Sequence, residues 1–276
     1  MGEITDANQL RGAEFKKLIR RPLTWILTLL EAAVLAVLAG LLIGPFFAGI
    51  GLAVGILIGL IVAFAIADNR AEGAFYDSFA KSHGLTRQGS GNLDGFTPLL
   101  RKGDQRKADE IFTGPLADGI EGTLALFTYT EVSTDSDGDR TETDYPFTLI
   151  LTDLPETVPH LPELMVQNKS GFKMLEGFED KFRGSHERVT LESEAMRDRY
   201  EIFVGKDQDP VWVRRLFSPT FIVWLTDAPP KKFAFELVNG KLCAFVPKHR
   251  DSAEAFDEIM AAGCSVVERL REEATA

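Results

Sequence analysis

The stretch from Leu23 to Ala67, LTWILTLLEAAVLAVLAGLLIGPFFAGIGLAVGILIGLIVAFAIA, contains a single ionisable residue, Glu31, in 45 positions. About 20 residues of helix cross the ~30 Å hydrocarbon core of a bilayer, so this run is too long for one span and right for two. Gly44-Pro45 lies near its middle, where proline cannot continue a helix and glycine tolerates a turn. The reading is a transmembrane hairpin over residues 23–67, with helices at about 23–43 and 46–67 and Phe46 and Phe47 near the interface. A secretory signal peptide has a shorter apolar core and no second span behind it.

The flanks of the hairpin set its orientation. Arg11, Lys16, Lys17, Arg20 and Arg21 precede the first helix, Arg70, Lys81 and Arg87 follow the second, and the turn is uncharged. The positive-inside rule then places both termini in the cytoplasm and the protein in the cytoplasmic membrane. Residues 1–22 form a basic juxtamembrane segment in which Leu10, Phe15, Leu18 and Ile19 alternate with the cations. Two readings fit it: an amphipathic helix resting on an anionic leaflet, or a frayed charged tail.

Two ladders of small residues at four-residue spacing run through the hairpin. Ala32, Ala36, Gly40 and Gly44 form the first, and Gly51, Gly55 and Gly59 the second. Small residues let helix backbones approach in lipid, where no hydrophobic force drives association. The ladders serve either packing within one hairpin, which a short turn favours, or a homodimer through the same glycines. Glu31 is the residue of the spans that invites a functional reading, because a carboxylate in hydrocarbon is costly. Its position nine residues after Pro22 also suits a place near the headgroups.

Composition narrows the remaining classes. The 276 residues carry a net charge of −11, and the pI is about 5.0. This balance argues against nucleic acid, whose binders cluster Lys and Arg against phosphate. Cys243 and Cys264 form no CxxC, and His83, His160, His186 and His249 lack metal-ligand spacing, so no cofactor or metal is expected.

Residues 68–276 read as an α+β domain, an antiparallel sheet with a few packed helices. Asn69 to Ser82 continues as helix and Gly84, Gly89 and Gly91 mark a connector. Strands are expected at Ile111–Leu116, Ile120–Val132 and Tyr145–Leu151, with an exposed hairpin tip at Asp135 to Arg140. Pro155, Pro159 and Pro162 break 154–164 into a loop or edge segment. Val189–Leu191 and Tyr200–Val204 read as strands. Asp209-Pro210 and Ser218-Pro219 each open a short helix, by cap and N-terminal proline. Asn239-Gly240 turns a hairpin between Phe233–Leu237 and Lys241–Val246. An amphipathic helix from about Ser252 to Glu273 buries Phe256, Ile259, Met260, Gly263, Val267 and Leu270.

Signatures of chemistry are weak throughout. Asp135, Asp137 and Asp139 begin like a calcium loop, but Arg140 and Pro146 occupy the positions that need Gly and Glu, so a solvated turn is favoured. Ser185-His186-Glu187 is adjacent in sequence, whereas catalytic triads are assembled from distant segments. No nucleophile elbow, P-loop, HExxH or GxGxxG occurs. Trp212, Phe217, Phe221 and Trp224 recur at spacings that suit core packing.

Six blocks carry a resemblance: FAKSHGL from Phe79, PLLRKGDQRKADEIFTGPLADGIEGTLALFTYTEV from Pro98, FTLILTDLPETVPHLPEL from Phe147, LESEAMRDRYEIF from Leu191, WVRRLFSPTFIVWL from Trp212 and FAFELVNGKLCAF from Phe233. In this order they resemble a bacterial family of membrane proteins with a cytoplasmic domain of unknown function. Met196 and Arg197 stand where the family pattern has an aromatic and an asparagine, and the family varies in its N-terminal anchor. The resemblance implies a membrane-tethered domain with no assigned reaction, and it transfers no site residue.

Three function classes follow. The first is a membrane-tethered interaction or regulatory domain, with the lipid bilayer and a membrane or cytoplasmic protein as partners. The alternatives are a domain that binds a small ligand or lipid headgroup, and an enzyme whose site is assembled in space. A pocket lined by perturbed titratable groups marks the enzyme, an apolar groove facing the bilayer the lipid binder, and an exposed apolar patch the interaction domain.

Overall fold

The computed structural model describes residues 7–135, 137–171, 186–206 and 208–275. The chain divides into two compact units, Met1–Phe79 and Ala80–Ala276.

The first unit contains α1 (Ala7–Ile19), α2 (Pro22–Leu42) and most of α3 (Phe47–Ser82). Pro22 opens α2 at a position where its missing N–H costs nothing. The break at Gly44-Pro45 is real, with Gly44 at φ +140, a value that only glycine adopts without strain. Both α2 and α3 are long and apolar enough to cross a membrane. Their aliphatic side chains point outward: Leu41, Leu42 and Phe46 are 79%, 80% and 82% exposed. α3 runs through Asp68, Asn69 and Arg70 without interruption, because no breaker interrupts its hydrogen-bond ladder there, and the helix read over Asn69 to Ser82 is its continuation.

The second unit is α+β. Its sheet has nine strands: β1 (Thr86–Gly91), β2 (Gln105–Ala117), β3 (Ile120–Thr134), β4 (Arg140–Asp153), β5 (Glu163–Asn168), β6 (His186–Val189), β7 (Tyr200–Gly205), β8 (Ala234–Val238) and β9 (Lys241–Pro247). The order is β1-β2-β3-β4-β9-β8-β5-β7-β6, antiparallel throughout. Four helices accompany it among the described residues: α4 (Glu194–Arg199), α5 (Pro210–Leu216), α6 (Pro219–Asp227) and α7 (Ala253–Thr275).

Each sheet face has its own cover. On one, Phe112 of β2 and Ile150 of β4 receive α7. Phe256 lies 6.2 Å from Phe112 between ring centroids. Gly263 sits so close that an added Cβ would fall 2.0 Å from Ile150 Cδ1. The other face carries Phe127, Phe147, Leu149, Cys243 and Phe245, and the segment between β1 and β2 seals it with Leu99 and Leu100. Arg101 holds that segment in shape by donating to the carbonyls of Gly95 at 2.6 Å and Phe96 at 3.0 Å.

Several sequence readings change. The connector at Gly84–Gly91 contains β1, an edge strand whose pairing with β2 shifts register on both sides of Gly89. β2 begins at Gln105, before Ile111. The proline-rich 154–164 stretch ends in β5, which is an interior strand between β8 and β7. β6 occupies His186–Val189 in place of Val189–Leu191, and a Ser193-capped helix, α4, stands where the sequence suggested none.

Candidate functional site

Two proline-initiated helices build a sizeable cleft. Asp209 accepts the N–H of Val211 at 2.8 Å, and Ser218 accepts that of Phe221 at 3.4 Å, so α5 and α6 each start on a capped turn. Arg269 of α7 then fixes the C-terminal end of α5, donating to the carbonyls of Leu216 at 3.1 Å and Arg215 at 2.5 Å. A cation on the last carbonyls of a helix satisfies acceptors that have no partner within the helix.

Between these helices and the link from β6 to α4 lies a cleft of about 780 Å³. Val189, Leu191, Val204, Val213, Phe217 and Ile222 form its apolar wall, with Glu187, Arg188 and Arg214 at the margin. Val211 and Val223, 57% and 59% exposed, stand on α5 and α6, and Val223 lines the cleft. This volume falls in the range of ligand clefts, ~300–1,000 Å³. Strand β6, at the end of the sheet order among the described residues, supplies one side of it. The cleft is assembled from four separated segments, which is why no motif in the sequence announced it.

The titratable groups with shifted acidity lie elsewhere. Glu236 of β8 is 1% exposed beneath the segment between β1 and β2. Its Oε2 accepts the N–H of Leu99 at 2.9 Å, and its Oε1 has no hydrogen-bond partner of good geometry among the described residues. Burial pushes its carboxyl up to about 7, against weaker favourable effects of the Leu99 N–H, Thr97 and Lys102. Cys243, opposite Glu236 on β9, is raised well above the usual thiol range by the same burial. Lys102 is lowered by desolvation, with its Nζ 3.8 Å from Glu131 and 5.2 Å from the Tyr129 ring centre. None of these groups lines the large cleft.

The sequence-derived candidates fall as follows. Gly51 faces Leu35, Ala36 and Ala39, with an added Cβ 2.6 Å from the Leu35 carbonyl. An added Cβ on Gly55 would lie 2.3 Å from Ala32 Cα, and one on Gly59 would meet Thr28 at 2.5 Å. Gly40 reaches Ala48 at 3.4 Å from its Cβ position, whereas Gly44 faces open space at the turn. The second ladder thus lies against α2 of the same chain. Glu31 sits on the exposed side of α2 beside the buried Ala32, with no side-chain partner among the described residues.

Asp135 accepts the N–H groups of Asp137 at 3.0 Å and Asp139 at 2.9 Å, closing the hairpin tip on itself. Ser185 lies outside the described residues. His186 and Glu187 project from opposite faces of β6, and His186 Nε2 meets Glu163 at 2.5 Å instead. Trp212 stacks on the exposed His160 at 6.3 Å, and Phe221 on the half-buried Trp224 at 5.4 Å, so Trp212 and Phe221 are buried around α5 and α6 under partly exposed rings. Cys243 and Cys264 are both free and buried.

No family model matches the chain, and no curated protein matches it in sequence. Among solved structures it is similar to the mycobacterial trehalose monomycolate transport factor A, TtfA. The likeness has a TM-score of 0.47 at 14% identity, and covers 74% of this chain and 94% of that one.

Proposed function

We propose that this is a membrane-tethered interaction domain that captures an apolar segment of a protein partner in the cleft between α5, α6 and the β6–α4 link. Residues 80–276 lie in the cytoplasm in this reading, held by α2 and α3 in the cytoplasmic membrane, in keeping with the resemblance read from the sequence. The cleft carries the reading: an apolar wall opens to solvent, with Val223 exposed on it, and Glu187, Arg188, Glu192 and Arg214 add charge to the lining. Exposed apolar surface rimmed by polar groups marks a contact site, and β6, last in the sheet order among the described residues, stands at its side, where an extended peptide can pair with main-chain groups.

A photoreactive residue in place of Val223, in the full-length protein in its native membrane, tests this. A discrete protein adduct that disappears in Ile222→Asp is expected. Adducts with lipid alone would transfer the cleft to the lipid-binding reading.

A further inference from the structure

We propose that the elbow between α1 and α2 is a docking surface for anionic phospholipid headgroups, an inference that rests on reading α2 and α3 as membrane-crossing. The elbow is a built structure. Thr24 Oγ1 donates to the Leu18 carbonyl at 2.8 Å, and Trp25 Nε1 to the Ile19 carbonyl at 2.7 Å. Two side chains from the first turn of α2 therefore close the end of α1, the helix over Ala7–Ile19 that carries Lys16 and Lys17.

Its depth follows from a second contact. Phe15 of α1 meets Phe64 of α3 edge to face, 5.6 Å between centroids. Phe64 lies 17 residues beyond Phe47, about 26 Å along a helix rising 1.5 Å per residue. α2 with its 21 residues measures about 31 Å by the same rise. Both distances match the ~30 Å hydrocarbon thickness, so Phe15 sits at the edge of the apolar layer. An indole hydrogen-bonded at one end, as Trp25 is, suits the same level.

At a spacing of 100° per residue, Phe15, Leu18 and Ile19 fall on one side of α1 and Lys16, Lys17 and Arg20 on the other. Leu18 is buried, whereas Lys16, Lys17, Arg20 and Arg21 are exposed. Lys17 is paired with Glu14 at 3.1 Å, and the other three cations have no ion pair among the described residues. Glu14 is the single acidic residue between positions 7 and 30. Lys16, Arg20 and Arg21, held at headgroup depth with no ion pair among the described residues, complement phosphate on an anionic leaflet. They also differ in sign from the chain as a whole, whose net charge is −11.

The test uses the full-length protein carrying Gly12→Cys, a position that is exposed and has nothing within 4 Å of an added Cβ. A polarity-sensitive thiol dye marks it, since both native cysteines are buried. The protein is reconstituted into phosphatidylcholine vesicles with or without phosphatidylglycerol. The expected result is a blue shift of emission that requires phosphatidylglycerol, weakens as salt shortens the screening length, and vanishes when Lys16, Lys17, Arg20 and Arg21 are all changed to Gln. Equal emission in both lipids, or a shift that survives the four substitutions, would overturn the proposal. Release of the protein from both vesicle types by alkaline wash would instead overturn the membrane-crossing reading on which it rests.

Discussion

Leu99 donates its backbone N–H to the carboxyl of Glu236 at 2.9 Å, across 137 residues of sequence. This bond ties the cover of one sheet face to an interior strand, and it is the one partner of good geometry that the buried carboxyl holds among the described residues. Burial raises Glu236 from 4.5 to about 7 in the folded state. The folded protein then binds the proton more tightly than the unfolded chain does. Stability from this group is complete below pH 4.5 and lost as pH rises through about 7, by about 3 kcal/mol. Urea midpoints of the full-length protein in detergent should show this loss relative to Glu236→Gln, which holds the neutral shape at every pH. A difference between the two proteins that does not vary from pH 4.5 to 8 would show that the carboxyl is paired or hydrated.

Gly55 sets the distance between α2 and α3. A Cβ there would lie 2.3 Å from Ala32 Cα, so the backbones must separate. Gly55→Leu should cost about 1–2 kcal/mol of hairpin packing, visible as faster proteolysis of the hairpin in membranes. Crosslinking between copies should be unchanged, because the glycines already face their own chain. A fall in crosslinking with intact protease resistance would assign the ladder to a dimer.

The face of α7 is equally specific. Phe256, 0% exposed, should cost about 3–5 kcal/mol on truncation to Ala. Gly263→Ala forces a methyl into Ile150 and should cost about 1–3 kcal/mol. Ile150→Val removes the Cδ1 in the way, so the double variant should be more stable than the sum of the singles predicts. Strict additivity would mean that α7 shifts away from the sheet to accommodate the methyl.

These elements differ in how plainly the sequence declares them. The hairpin, the Asn239-Gly240 turn with φ of 48° and 73°, the Asp209 and Ser218 caps and the stripe of α7 each follow from local chemistry. β1 escapes because TRQGSG has no apolar alternation and a bulged pairing. β5 escapes because prolines precede it and residues 164–168 are all buried, which removes the alternation that marks a half-exposed strand. The same two-sided cover hides Glu236: in FAFELV a glutamate reads as the solvent side of a strand, yet the segment around Leu99 closes over it. The cleft depends on tertiary placement of four segments, and no periodicity encodes that.

In the proposed topology α2 and α3 cross the membrane and leave residues 80–276 in the cytoplasm. Single cysteines at Phe46, in the turn between the helices, and at Asp137, in the exposed β3–β4 tip, test it with a membrane-impermeant thiol reagent in intact cells. Phe46→Cys should be labelled at once and Asp137→Cys only after lysis. Labelling of Asp137→Cys in intact cells would contradict it.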